Sequence, residues 1–351
     1  MIIVAIDLAI SKSVACIYNQ ENGEHKFVTF PTKPQEIHDL MLEYGPDRVV
    51  IEICSIAGWV YDLITSMDIE VQVANPTNAA WKWKNVKRKT DRDDALKLAQ
   101  LSAMNQLPVV HMADRDVRAW RKFINYRSSV VGRSTLIKNS IRSILAAECI
   151  KLSAGKCGWT QKSLRKLDSM AISPEQLGPE PLWKCQLWLE LRALADVGKL
   201  LEQITSKLDE MAAKNEKVKL LQSIPGVGPR LAEVVVAYID KAERFDNGKQ
   251  VGCYAGLTPR QFQSGDMDRR GRISKKGNGL LRKMLISVSW LVLRYNDYFR
   301  EIYNRVSGPG NRNRKKGIVA VARRLLVCCW AMLRDGSRWR APATCVPVAS
   351  K

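Results

Sequence analysis

Ile2-Ile-Val-Ala-Ile-Asp7-Leu-Ala9 is a continuous apolar run interrupted by a single carboxylate. Such a run reads as a buried strand, and a carboxylate inside it is costly unless it is paired or bound to a cation. Working outward, residues 13–18 alternate, Asn22-Gly23 is a hairpin turn, and residues 25–30 alternate again. A helical pattern follows over 34–43, then a short apolar strand over 48–53 that carries Glu52 near its end. A helix is expected over 58–66 and a further strand over 69–73. Residues 91–103 are amphipathic and open with Asp91, Asp93 and Asp94, as a helix N-terminus favours. Three strands followed by alternating helix and strand predict a mixed α/β sheet.

Charge divides the 351-residue chain unevenly. Residues 1–110 hold 11 Lys and Arg against 14 Asp and Glu, net −3; residues 111–351 hold 45 against 21, net +24. A polycation of that size attracts polyanions, of which nucleic acid is the commonest in a cell. No stretch of about 18 uncharged apolar residues occurs, so no membrane span is expected. The N-terminus has no basic leader before its first strand, which predicts no signal peptide. Nine cysteines without a Cys-x-x-Cys pair, and three isolated histidines, give neither a disulfide framework nor a zinc site. The expectation is a soluble, basic, intracellular protein.

The middle of the chain reads as helical. Residues 113–149 interleave Arg121, Lys122, Arg127, Arg133, Lys138 and Arg142 with apolar positions, a face suited to a nucleic-acid backbone or simply to solvent. Residues 151–183 are rich in Gly and Pro and read as a loop-rich connection. From Leu187 to Met211 apolar residues recur every three or four positions, a seam for an antiparallel or intermolecular coiled coil. After Leu220 come Gly-punctuated segments, a helix over 280–295, a Gly-, Asn- and Arg-rich stretch over 308–317 expected to be mobile, and a last helix over 318–333.

Asp7, Glu52, Asp91 and Asp94 stand out as a set. Positions three apart share a helix face, so Asp91 and Asp94 can address one target. Carboxylates at strand ends and on one helix face offer hard oxygen ligands for Mg²⁺, which promotes phosphoryl transfer. The plainer alternatives are that Asp91 caps its helix and that Glu52 pairs with a lysine. Ile224-Pro-Gly226-Val-Gly228-Pro has the look of a helix-hairpin-helix turn, whose glycines let backbone N–H groups approach a phosphate; a tight turn with no ligand is the other reading.

Val4-Ala-Ile-Asp7-Leu-Ala-Ile-Ser-Lys12, then Ile51-Glu52, then Lys89-Thr-Asp91-Arg-Asp-Asp94-Ala resembles the Asp-Glu-Asp-Asp set of RuvC-like, ribonuclease-H-fold nucleases. It is most similar to the DEDD transposases of bridge-RNA-guided insertion-sequence recombinases. Tyr254-Ala-Gly-Leu-Thr-Pro, Gln263-Ser264-Gly265 and Gly271-Arg-Ile-Ser-Lys-Lys-Gly-Asn278 resemble that family's second domain, in order. The resemblance implies a RuvC-like domain over 1–110, a helical and coiled-coil connector over 111–219, a mainly helical transposase domain over 220–340 and a disordered tail over 341–351. It also implies that Ser264 is the nucleophile of a phosphoserine link to DNA, beside Mg²⁺ (with Mn²⁺ the alternative ion) at the four carboxylates. The partners so implied are a guide (bridge) RNA, donor and target double-stranded DNA, and a homo-oligomer, a dimer pairing into a tetramer. Its setting would be the nucleoid of a prokaryotic cytoplasm.

By itself Ser-Gly is a turn signal, and Ser274 is the competing hydroxyl. Arg269, Arg270, Arg272, Lys275, Lys276 and Arg282 are the candidate cations for phosphate charge. Two alternatives remain at this stage: a junction-resolving nuclease in which water attacks, and a nucleic-acid-binding protein without catalysis.

Overall fold

The computed structural model describes residues 1–75, 90–176, 178–179, 181–264 and 267–341. Lys89 of the third motif, Gly265 and the expected disordered tail from residue 342 onward lie outside the described residues. The chain divides into two compact units, Met1–Arg118 and Ala119–Lys351.

In the first unit, strands β1 (Ile2–Asp7), β2 (Lys12–Asn19) and β3 (His25–Pro31) form an antiparallel meander. Gly23 turns the second corner with φ 75°, a conformation glycine adopts without strain. Helix α1 (Pro34–Tyr44), β4 (Arg48–Glu52), α2 (Ala57–Thr65) and β5 (Glu70–Ala74) follow, and the last two strands run parallel to β1. The resulting order β3-β2-β1-β4-β5 is that of a ribonuclease-H-type sheet. Its side chains alternate: Val4, Ile6, Val49, Ile51 and Val73 pack with Ile37, Met41, Val60 and Ile64 of α1 and α2. Ile3, Ala5, Val50 and Ala74 face the other way, toward Ala95, Leu98 and Ala99 of α3 (Asp91–Ala103). Cover on both faces explains why β1 is apolar throughout rather than alternating. The expected mixed α/β architecture is present.

Among its described residues the second unit is helical apart from one hairpin. Helix α4 (Arg115–Ala147) enters it at Ala119; α5 (Gln161–Asp168), α6 (Leu182–Lys214), α7 (Glu216–Gln222), α8 (Pro229–Ile239) and α9 (Gly248–Tyr254) follow. Strands β6 (Pro259–Ser264) and β7 (Met267–Ile273) pair antiparallel, and α10 (Gly279–Tyr295), α11 (Asp297–Ser307) and α12 (Arg314–Asp335) complete the chain. Every residue of α8 from Leu231 to Ile239 is buried, which makes it the central helix of the core.

One alternative left open is decided here and two expectations are corrected. The apolar seam of α6 is used inside the chain: Leu187 and Leu191 share a core with Ile141 and Leu145 of α4, and Ile204 and Leu208 share one with Trp120, Ile124 and Val130. Ser140 donates to Glu190 (2.7 Å) and Arg127 Nε to Thr205 (3.0 Å), so residue numbers fall on one helix as they rise on the other. The seam is an antiparallel intramolecular pair. Residues 151–183 are not a bare connection; they fold into α5 and 3₁₀ turns at Gly155–Trp159 and Pro174–Gln176, with Leu167 in the α4–α6 core. The stretch over 308–317, expected to be mobile, forms a 3₁₀ turn (Pro309–Asn311) and the first turn of α12. No helix among the described residues is long and apolar enough to cross a membrane.

Candidate active site

β1 and β4 pair in parallel with Ile6 opposite Ile51, so the next residues, Asp7 and Glu52, stand side by side at the strand ends. Alternation puts Asp7 on the face of Ile3 and Ala5, and Glu52 on the face of Val50, which is the face that α3 covers. Helix α3 runs antiparallel to these strands. At its C-terminal end, Gln20 beside Met1 donates to Ala103 O (3.0 Å) and Arg48 contacts Ser102 (3.5 Å). Its N-terminus therefore lies toward Asp7 and Glu52. Asp91 is one turn ahead of Ala95 and two ahead of Leu98, on the stripe facing the sheet, with Asp94 beside it.

Capping of α3 falls to other groups. The Thr90 hydroxyl donates to the Asp93 carboxylate (2.6 Å), and Asp93 N–H donates back to Thr90 Oγ (3.2 Å). The cap is thus a Thr90–Asp93 pair. Asp7, Glu52 and Asp94 are half-buried and Asp91 is exposed. The four side chains are on one side of the sheet without closing into a cluster: among the described residues no three His, Cys, Asp or Glu groups gather as a metal centre. As an all-carboxylate donor set on two strand ends and one helix turn, they fit a hard divalent cation in chemistry.

Ser264 stands at the tip end of the β6–β7 ladder. It is the last residue of β6, opposite Met267, and all six residues of β6 are exposed. What holds the hairpin is its foot. Ser274 N–H donates to Thr258 O (2.8 Å), Lys275 N–H to Gly256 O (3.2 Å), and Arg282 Nη1 to Ala255 O (3.0 Å). Two backbone segments cross there at a separation that excludes side chains. A Cβ on Gly256 would come within 2.1 Å of Lys276 O, and one on Gly277 within 1.9 Å of Tyr254 O. Ser274 belongs to this foot, at the far end of the hairpin from Ser264.

The candidate nucleic-acid contacts separate into two groups. Arg121 donates to Ala237 O (2.7 Å) and lies 3.9 Å from Asp240; Arg127 is held by Thr205; Lys138 and Arg142 stack on Trp159, and Arg142 also donates to Ser153 O (3.1 Å). Gly226, at φ 92°, abuts α10, where a Cβ would meet Val292 Cα at 2.9 Å. These residues, with Arg282, make contacts inside the protein. Lys122, Arg133, Gly228, Arg269, Arg272, Lys275 and Lys276 are exposed, Arg133 against the Tyr126 ring. Arg270 is paired through its backbone with Gln261, and its side chain lies outside the description.

Sequence reasoning missed Glu233. It is 2% exposed on α8 and meets Arg230 at 3.1 Å. Burial pushes its carboxyl up to about 7, against the pull of Arg230 and Arg127. A lone acid within Leu231-Ala-Glu233-Val-Val-Val was the available signal.

A transposase family of the DEDD type matches residues 4–150, and the family described as Transposase IS116/IS110/IS902 matches residues 218–304, together more than half of the chain. The transposase for insertion sequence element IS1111A of Coxiella burnetii is 27% identical over 300 residues, 84% of this chain and 80% of that protein. A probable family 20 transposase of Pseudomonas aeruginosa is 25% identical over 293 residues, covering 82% and 84%. The pilin gene-inverting protein of Moraxella bovis is 29% identical over 124 residues, 34% of this chain and 38% of that one. Among solved structures, T. thermophilus RuvC in complex with Holliday junction substrate aligns with 31% of this chain and 99% of its own, at 14% identity and TM-score 0.24, too slight a likeness to carry weight. The two matched regions and the relatives define a transposase, an enzyme of DNA strand cleavage and rejoining. The chain belongs to the IS116/IS110/IS902 family, with a DEDD transposase domain in its N-terminal part.

Proposed function

We propose that the chain is an RNA-guided recombinase of an insertion sequence, which cuts and rejoins donor and target double-stranded DNA through a phosphoserine at Ser264. The observation that carries the reading is the direction of α3 over the β1–β4 register, which sets Asp7, Glu52, Asp91 and Asp94 on one side of one sheet. Carboxylates on two strand ends and one helix turn offer the hard oxygen ligands that a divalent cation takes. Those four would hold Mg²⁺ or Mn²⁺, which supplies charge stabilisation at the phosphoryl oxygens. Ser264 Oγ bonds to phosphorus as the bond to the departing deoxyribose oxygen breaks. The serine gives up a proton and the departing oxygen takes one up. One phosphodiester replaces another, so the strand can be resealed on a new partner without ATP. Guidance by a bridge RNA and assembly of a dimer into a tetramer belong to the same proposal, supported by the family membership and by the net charge of +21.

Water attack, as in junction-resolving nucleases, is a second reading. One observation favours it: the Ser264 hydroxyl makes no hydrogen bond among the described residues, so none of them takes its proton. The two readings separate on a denaturing gel of protein, Mg²⁺, the RNA transcribed from the element's flanks, and labelled donor and target DNA. A protease-sensitive DNA–protein adduct is expected, absent in Ser264→Ala and, separately, in Asp7→Ala. Free cut ends without an adduct, unchanged by Ser264→Ala, would replace the recombinase with the hydrolytic nuclease.

A further inference from the structure

The second unit contains a cleft of about 2100 Å³, of whose lining only Arg272 and Lys275 are among the candidate contacts above. One wall is the root of the hairpin, with Pro259, Gly271, Arg272 and Lys275; the other is α11 and α12. Between them the surface is apolar, formed by Leu257, Ile273, Ile302, Val306, Val319 and Val327. Cations stand around it: Lys249 on α9, Arg272 and Lys275 on the hairpin side, Arg305, Lys315 and Lys316 at the helix ends, and Arg323 and Arg324 along α12. Among the described residues, Glu301 is the one carboxylate in the lining. None of the eight cations forms an ion pair with a carboxylate among the described residues; Arg324 alone has a polar side-chain partner, the Tyr298 hydroxyl.

Two features of this cleft run against stability and so point to a ligand. Eight like charges around one opening repel one another. Arg314, Lys315 and Lys316 also occupy the first turn of a 22-residue helix, which carries no acidic residue there. That is the end at which the backbone dipole already disfavours cations. An anion in the cleft relieves both costs. The apolar floor narrows the choice of anion. Duplex DNA keeps its base faces stacked and offers only edges in its grooves, whereas an unpaired strand offers phosphates to the rim and open base faces to the floor. The hairpin that starts in this wall ends at Ser264, about 17 Å away at ~3.4 Å per residue.

We propose that the cleft holds the unpaired stretch of DNA strand that flanks the phosphate on which Ser264 acts. This rests on the reading of Ser264 as the nucleophile, but its test does not. Binding is measured by fluorescence anisotropy on the full chain carrying Ser264→Ala, with single-stranded DNA, RNA of the same sequence and the DNA duplex, each about 12 nucleotides long. Adding Lys315→Glu with Lys316→Glu is expected to weaken single-stranded DNA binding about tenfold or more. It should also reduce the salt slope by about 1.4, while duplex affinity changes less than about twofold. Glutamates in a first helical turn favour the helix, so the variant should fold, and the milder Lys315→Gln with Lys316→Gln should give an intermediate loss. An equal loss for duplex, a loss confined to RNA, or no loss at all would each overturn the assignment; the last outcome leaves an acidic protein partner as the occupant. A normal result here with no adduct in the wild-type gel would break the serine reading alone.

Discussion

β1 and β6 are both six residues long, and each ends on a residue proposed to act in strand cleavage, Asp7 in one and Ser264 in the other. Their settings are opposite. The four inner residues of β1 are buried, with a strand on each side and helices over both faces. β6 has one partner strand, and none of its residues is buried. Asp7 is therefore positioned by the packing of a whole unit, since a slip of one residue would turn Ile6 and Ala5 to the wrong faces. An uncovered two-stranded ribbon is marginal by itself. The placement of Ser264 depends on the crossing at Gly256 and Gly277 and on whatever lies against the exposed Phe262 and Met267. A metal-binding carboxylate set gains from fixed geometry. A nucleophile that must meet a DNA strand gains from standing clear of its own domain.

Four measurements can break or sharpen this contrast. Ile6→Ala, in the clamped strand, should cost about 2–5 kcal/mol in urea unfolding; a loss below about 1 kcal/mol would mean that β1 is not held as described. Gly277→Ala should cost roughly 2–4 kcal/mol, from overpacking against Tyr254 O and from the positive φ. It should also abolish the DNA adduct while the sheet of the first unit stays folded. Adduct formation at the wild-type level would show that the foot does not position the serine.

The third measurement follows pH. The Glu233 carboxyl titrates near 4.5 in the unfolded chain and near 7 in the fold. The folded protein therefore keeps a proton that the unfolded chain has already released between those values. The stability it contributes is complete below 4.5 and is lost as pH rises to 7, by at most about 3 kcal/mol. In Glu233→Gln that slope should vanish, read as Tm against pH; parallel curves for the two proteins would show that Arg230 and Arg127 keep the carboxylate ionised. Smallest of all, Phe262→Ala in the open hairpin should change unfolding free energy by less than about 0.5 kcal/mol. A cost near that of Ile6→Ala would show β6 to be covered.

How much was legible differs between the two units for the same reason. Helix α3 has the bounds read from the sequence, because a Thr90 cap, acidic first turn and apolar stripe are all local signals. The hairpin was not legible. Arg260-Gln-Phe262-Gln-Ser264 is exposed on both sides and carries no apolar alternation to mark a strand. Helix α11 was overlooked although Phe299, Tyr303 and Ser307, its buried positions, recur at a spacing of four. Along α4 the cations look alike in sequence. Which of them meet Ala237, Thr205 or Trp159 depends on residues 17 to 116 positions away, and no local pattern records that.

The sequence by itself determined the mixed sheet, the order of its strands along the chain, the carboxylates at β1, β4 and α3, and the strongly basic C-terminal part. Each follows from side-chain periodicity, capping chemistry or charge, which act over a few residues. Only the tertiary structure decided that the α6 seam closes on α4, that Gly226 abuts α10 and Arg282 donates to Ala255 O, and that cations from five separate segments line one apolar cleft. Those outcomes come from long-range burial, in which a residue's partner is chosen by the whole core and not by its neighbours in the chain.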